Sequence, residues 1–393
     1  LTSTPHSPDA APRLLYVVPY LNDPAVQRRL RMLRTGGAQV VVPVGFRRTS
    51  EPVDEIDGQP TIDLGRTEDG RLGRRVFSLM KASHEVAGWG SKVGPVDVIM
   101  ARSLEAMVLA RAFRKRFAPT APLVYESLDI HRLLLGDSTA SAALRKLEAR
   151  AMADSALLVT SSPGFVREYF ERYHRALPPI ALLENKLLAS EIPALSSNEE
   201  LSEPPPGPPW IIGWFGLLRC PRSLHLLAAL CDRFPDLVRV ELRGRAAATV
   251  ADELTTVVDA TPGMTYHGPY DRRTDLLDIY SKVHFSWTPD FSEAGANSDW
   301  LLPNRLYESG PAGCVPIAVA SVETGRWLKA RNLGVLLDEP VEQQLADWLQ
   351  TVDDASYRAA RAAVLACPQS EFVDDEKQAT AFVDRLRVLA KPM

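Results

Sequence analysis

Leu301–Ala318, LLPNRLYESGPAGCVPIA, packs a turn, a helix and a strand into one short segment. Pro303, Asn304 and Arg305 make the turn, LYESGPA continues as a short helix pattern, and Val315–Ala318 is an apolar run. A run without polar alternation reads as a strand buried on both faces, and such strands belong to parallel sheets covered by helices. A helix entered from Pro-Asn-Arg sets orphan N–H groups beside a guanidinium, a pairing that suits an anion. Glu308, the one acid of that helix, reads either as a ligand-binding carboxylate or as a helix-dipole or salt-bridge acid.

The same rhythm extends on both sides. WIIGWFG, VRVELRG, MTYHG, HFSWTP, VPIAV and GVLLD alternate with helix patterns such as SLHLLAALCDRF and RTDLLDIYSKV. Upstream, RLLYVVPY, AQVVVPVGF, DVIMARS, PLVYESLD and ALLVTSS alternate with DPAVQRRLRMLRTGG, LEAMVLARAFRKRF and SAALRKLEARAMADS. The first of these helices has Asp23 as its cap, Pro24 at its first position and Gly36-Gly37 at its end. Between the two series, residues 191–209 are rich in Pro, Ser and Glu and read as a linker. The expected division is therefore 13–190, a linker at 191–209, 210–370, and a terminal helix in 371–393 that packs back toward the first domain. The fold class is α/β, two doubly wound Rossmann-like domains facing a cleft, with ligands outside the carboxyl ends of the strands.

The chain has 393 residues, 46% hydrophobic and 24% charged, and a net charge of −4. That composition gives a globular core, and the charge gives no case for nucleic acid. The apolar runs fall short of the ~20 residues a membrane helix needs. LTSTPHSPDAAP carries no signal-peptide pattern and reads as a frayed end. Cys220, Cys231, Cys314 and Cys367 are dispersed, with no CxxC pair, so neither zinc nor a disulfide framework is expected and a reducing cytoplasm fits.

In the second half, GWFGLLRCPRSLHLL runs strand, Gly-bearing loop, helix. Gly216 allows close backbone approach, while Arg219 and Arg222 stand where the helix begins. They read either as phosphate ligands or as surface arginines of an ordinary loop. ELRGR ends another strand with Arg243. No Asp-x-Asp follows an apolar strand, so no metal is expected, and the charge of a leaving diphosphate would be met by arginines and helix N-termini.

In order and spacing, these blocks resemble the C-terminal domain of GT-B Leloir glycosyltransferases of the family 4 type. Gly216–Leu227 is similar to the family's Gly-Arg-Leu…Lys-Gly block, with Arg222 at the lysine position, Leu217 at the arginine position and Arg219 as a substitute. LPNRLYESGPAGCVPIA is similar to the P-N-K-x-F-E-Y…A-x-G-x-P-V-I-A block. The resemblance assigns Glu308 to the ribose hydroxyls of a UDP-sugar, and Asn304 and Arg305 to its diphosphate. A carboxylate can accept two hydrogen bonds from a vicinal diol. The family's first glutamate of E-x7-E would fall at Trp300. Asn297, Ser298 and Asp299 lie beside it, so this departure leaves both the usual donor-sugar contact and the stereochemistry, inverting or retaining, open.

In the first half, YESLDIHRLL puts Glu126, Asp129 and His131 at a strand end, where related enzymes carry a motif facing the cleft. An inverting transfer needs one base for the acceptor hydroxyl. Asp129 comes first, then His131 and Glu126, although Asp129 also reads as a cap for the next helix and His131 as a helix start. Asn22 and Asp23 lie on the acceptor side, Asp23 reading first as a helix cap. Together with VGFRR, these stretches resemble a bacterial exopolysaccharide subgroup, that of the succinoglycan and sphingan pathways. The resemblance implies a lipid-linked saccharide acceptor and a glucuronosyl or glucosyl donor. From Arg71 to Arg116, ten Lys/Arg meet three Asp/Glu. Such a basic, partly apolar stretch suits either an anionic membrane surface or a solvated face. The expected location is cytoplasmic, peripheral on the inner face of the membrane. The rival readings are a nucleotide-sugar epimerase, a phosphorylase and a non-catalytic nucleotide-sugar binder.

Overall fold

The computed structural model describes residues 11–67, 72–192 and 202–391, with backbone only at 40–41 and 72–77. The expected frayed end, the middle of the expected linker, Arg71 and the side chains of Arg74 and Arg75 lie outside the described residues. The chain divides into two compact units. One takes the described residues up to Ser161, Val166–Leu183 and the chain from Glu376; the other takes Ser162–Phe165 and Glu184–Asp375.

The first unit is built on seven parallel strands: β1 (Arg13–Tyr20), β2 (Gln39–Arg47), β3 (Ile62–Arg66), β4 (Val98–Arg102), β5 (Leu123–Ser127), β6 (Ser155–Thr160) and β7 (Ile180–Leu182), in the order β3-β2-β1-β4-β5-β6-β7. Leu14–Val18 of β1 are all fully buried, which is why no polar alternation shows in RLLYVVPY. The helix Pro24–Thr35 starts as its sequence indicates. The Asp23 carboxylate accepts from the Ala25 N–H at 2.8 Å, Pro24 occupies the first turn and Gly36 closes the helix. A Cβ on Gly36 would meet the Ala379 carbonyl oxygen at 2.3 Å, so this glycine lets the last helix, Glu376–Ala390, pack against Pro24–Thr35 inside the first unit.

The second unit has six parallel strands: β8 (Trp210–Leu218), β9 (Val238–Ala246), β10 (Met264–Tyr266), β11 (Phe285–Trp287), β12 (Val315–Val319) and β13 (Val335–Leu337), ordered β10-β9-β8-β11-β12-β13. In both sheets the first strand lies inside and the order reverses beside it. That reversal is the switch point where doubly wound sheets bind ligands. In the second unit it falls between β8 and β11. Their core is aromatic: Trp210, Trp214, Phe285 and Trp287 are buried. Glu191, expected in the linker, belongs to a short 3-10 turn (Ala189–Glu191) of the second unit and is buried.

Candidate functional site

At the switch point of the second unit, β8 runs out through Gly216 into Arg219 and Cys220. Gly216 has φ +101°, and nothing lies within 4 Å of where its Cβ would stand. Across the ladder, Gly216 pairs with Gly244, whose Cβ would sit 1.8 Å from the Gly216 carbonyl oxygen. Two glycines are thus required where these strand ends cross, and the space above Gly216 stays open. Cys220 caps the helix Pro221–Arg233, its sulfur accepting from the N–H groups of Ser223 and Phe291. That thiol joins the β8 loop to the loop after β11, where Asp290 pairs with Arg219 (Nε to Oδ2, 2.7 Å). Burial pushes the Asp290 carboxyl up, but the Arg219 guanidinium and the Ser292 N–H hold it below its ordinary value. Arg222 lies over the Phe291 ring at 4.2 Å and bonds to Glu342 at 3.0 Å. Beside these residues opens a pocket of about 120 Å³, lined among others by Arg222, Asp290, Ser298, Asp299 and Thr324.

The helix Asn304–Ser309 follows Pro303. Asn304 is exposed at its start, whereas Arg305 is only 9% exposed, and its Nη1 has no hydrogen-bond partner among the described residues. Burial lowers the Arg305 guanidinium from its ordinary value; Asp290 and Glu308 oppose this, and Arg219 adds to it. A buried cation with an unpaired donor is costly unless something anionic completes it. One turn on, Glu308 is 4% exposed. Arg272 Nε donates to its Oε1 at 2.9 Å, and the Tyr280 hydroxyl approaches Oε2 at 3.3 Å. Gly216, Arg219, Arg305 and Glu308 all stand at the carboxyl ends of the second unit's strands. Arg243 is half-buried at the end of β9 and faces the charge of Asp275. Asp290, Tyr280 and Arg272 were not singled out from the sequence. Arg272 sits in YDRRTD, an ordinary polar loop by composition, and only the fold brings it to Glu308.

In the first unit the expected residues separate. Glu126, expected at a strand end, is the penultimate residue of β5 and the buried anion of an ion cluster. Its side chain is fully buried, with Arg29 Nε at 2.7 Å, Arg102 Nε at 2.7 Å and the Tyr16 hydroxyl at 2.6 Å. Burial alone would raise its pKa, yet the two guanidinium groups bring it down to about 2. Glu126 lies inside β5, all five residues of which are buried. Asp129 is exposed just beyond β5. The cap position of the next helix, Arg132–Leu135, is held by His131, whose Nδ1 accepts from the Leu133 N–H at 3.3 Å. Asp23 is the helix cap described above, and the Asn22 side chain accepts from the Arg48 N–H at 3.4 Å. Trp300, at the position of the family's first glutamate, ends the helix Asn297–Trp300; beside it Asp299 accepts from the Gly295 N–H at 3.0 Å. Among the described residues no group of three or more His, Cys, Asp or Glu is placed to hold a metal ion.

No family model matches the chain. It is 40% identical over 380 residues to the succinoglycan biosynthesis protein ExoL of Rhizobium meliloti, covering 96% of this chain and 94% of that one. Among solved structures it is similar to Anabaena Alr3699/HepE in complex with UDP and glucose, with a TM-score of 0.66, 15% identity and coverage of 95% and 98% of the two chains. It is also similar to the lipopolysaccharide outer core galactosyltransferase WaaB, with a TM-score of 0.67, 11% identity and coverage of 97% and 100%. The chain belongs to the family of the succinoglycan biosynthesis protein ExoL and has the GT-B fold.

Proposed function

We propose that this ExoL-family glycosyltransferase moves a neutral hexosyl group from a UDP-sugar to a lipid-linked saccharide in exopolysaccharide synthesis. The donor is held by the second unit: Arg305 and Arg219 meet the diphosphate, and Glu308 meets the ribose diol. The observation that carries this reading is Arg305, a buried guanidinium with an unpaired donor, one turn before a buried carboxylate. The HepE complexes with UDP and UDP-glucose support UDP as the nucleotide.

A neutral sugar fits better than a uronic acid. Arg219 and Arg222 already face carboxylates, and Asp299, Ser298 and Thr324 offer the pocket acceptors for hydroxyl groups. With Arg219 and Arg305 engaged by the diphosphate and Arg222 bonded to Glu342, a uronate would set its charge beside Asp299 and Asp290 with no further cation among the described pocket residues. On the first unit, Asp129 is the base of an inverting transfer, with His131 as the second candidate. A basic, partly apolar surface of the same unit holds the enzyme at the inner face of the membrane. Thermal unfolding with a panel of nucleotide sugars tests the donor reading. UDP-glucose at a hundred times its dissociation constant should add about 2.7 kcal/mol. UDP-glucuronate binding more tightly than UDP-glucose would overturn the neutral-sugar assignment.

A further inference from the structure

Glu308 is held from one side. Arg272 Nε occupies Oε1, while among the described residues Oε2 has only the long Tyr280 contact. Arg272 reaches the helix from the loop between Tyr266 and Leu276, and its Nη1 bonds to the buried carboxylate of Glu191 at 3.1 Å. Its Nη2 is buried and has no partner among the described residues. Two carboxylates therefore fix the plane of the guanidinium, and the third nitrogen remains to be satisfied. The neighbouring Tyr270 senses the charges of Glu308, Arg272 and Arg305 together, so the loop, the carboxylate and the buried arginine share one environment.

We propose that Arg272 is the positioning residue for nucleoside recognition: it turns Glu308 so that Oε2 faces a ribose diol, and its Nη2 donates to an oxygen of the same ribose. This rests on the reading that Glu308 binds the ribose. A planar fork anchored at two carboxylates fixes direction in a way that a lysine cannot, since an ammonium has no preferred plane. Glu191 then acts at one remove, as the anchor of the fork. Among the described residues of the second unit, the other buried guanidinium nitrogen without a partner, on Arg305, serves the diphosphate, so these two donors correspond to different parts of one nucleotide.

The test is calorimetric titration of UDP and of 2′,3′-dideoxy-UDP into wild type, Arg272→Lys and Arg272→Met, with pyrophosphate as a third ligand. Wild type should prefer UDP by about tenfold or more. In both variants that preference should fall to threefold or less, while pyrophosphate affinity stays within threefold. Arg272→Lys keeps a positive charge between Glu308 and Glu191, so it reports on orientation even where Arg272→Met is too unstable to titrate. A wild type that does not distinguish the two nucleotides would remove the ribose role of Glu308. A wild type that distinguishes them, with Arg272→Lys distinguishing them equally well, would overturn the role of Arg272 alone. Parallel weakening of all three ligands in Arg272→Lys would mean a general structural role and would also overturn it.

Discussion

At the scale of single residues, the second unit keeps a buried charge that folding alone does not require. Arg305 Nη1 is buried without a partner among the described residues, although a well-packed apolar side chain would be the stabler choice there. Replacing Arg305 with Met should therefore leave the melting temperature unchanged or raise it, and weaken UDP binding at least tenfold. Calorimetry and thermal unfolding on the same sample check both halves; a variant that loses stability and keeps affinity would contradict the assignment. That Arg305 and Glu308 share one short helix was legible in the sequence, because Pro-Asn-Arg-x-x-Glu sets both within one turn of its start. Arg272 was not, because its 36-residue separation from Glu308 is closed by the fold. The ion cluster of Glu126 was not legible for a related reason. Its acid stands three positions from Asp129, but its two cationic partners come from Arg29 and Arg102, on other elements.

At the scale of elements, caps and strand runs were legible because they are local. Asp23, Pro24 and Gly36 mark a helix by backbone chemistry alone, and RLLYVVPY marks a doubly covered strand. Register was not legible: nothing in GWFGLL or ELRGR says that Gly216 and Gly244 face one another. The surface role of helices is likewise a matter of packing. Helix Leu72–His84 leaves Met80 56% exposed and Lys81 on the surface, and helix Leu104–Phe117, packed against it, ends in Arg114, Lys115, Arg116 and an exposed Phe117. Bases interleaved with exposed apolar side chains suit an anionic bilayer surface. Co-sedimentation should be stronger with anionic than with zwitterionic vesicles at low salt, and should fall as salt rises. Equal, salt-independent recovery with both vesicle types would dispose of the membrane-surface role.

At the scale of the whole molecule, each unit's stability depends on buried polar groups with fixed partners. His284 is fully buried between Trp210 and Tyr357; its Nδ1 accepts from the Ile211 N–H and its Nε2 meets the Pro205 carbonyl, each at 2.9 Å. Burial lowers its pKa to about 4 from an ordinary 6.5. Between those values the unfolded chain binds a proton that the folded chain refuses, so stability is full above about pH 6.5 and is lost as pH falls toward 4, by about 3 kcal/mol. Urea unfolding at pH 7 and pH 4.5 should show this drop, and His284→Asn, less stable at pH 7, should show a shallower one. Parallel losses in the two proteins would exclude His284 as the source. The two-unit plan was legible from alternating strands and helices, and the return of the last helix to the first unit was expected with it; the contacts that make that return, such as Gly36 against Ala379, are set by the fold. The account's central claim is sugar transfer from a donor read by Glu308, and the most direct measurement is passage of labelled glucose from UDP-glucose into the lipid fraction of membranes that supply the acceptor. Wild type should label that fraction. Glu308→Ala should transfer at least tenfold less at subsaturating donor, following a loss of about 1–3 kcal/mol in nucleotide binding. Asp129→Asn should lose about 10²–10⁴-fold while still binding UDP. Lipid labelling by Glu308→Ala as fast as by wild type, or no labelling by wild type from UDP-glucose, would contradict it.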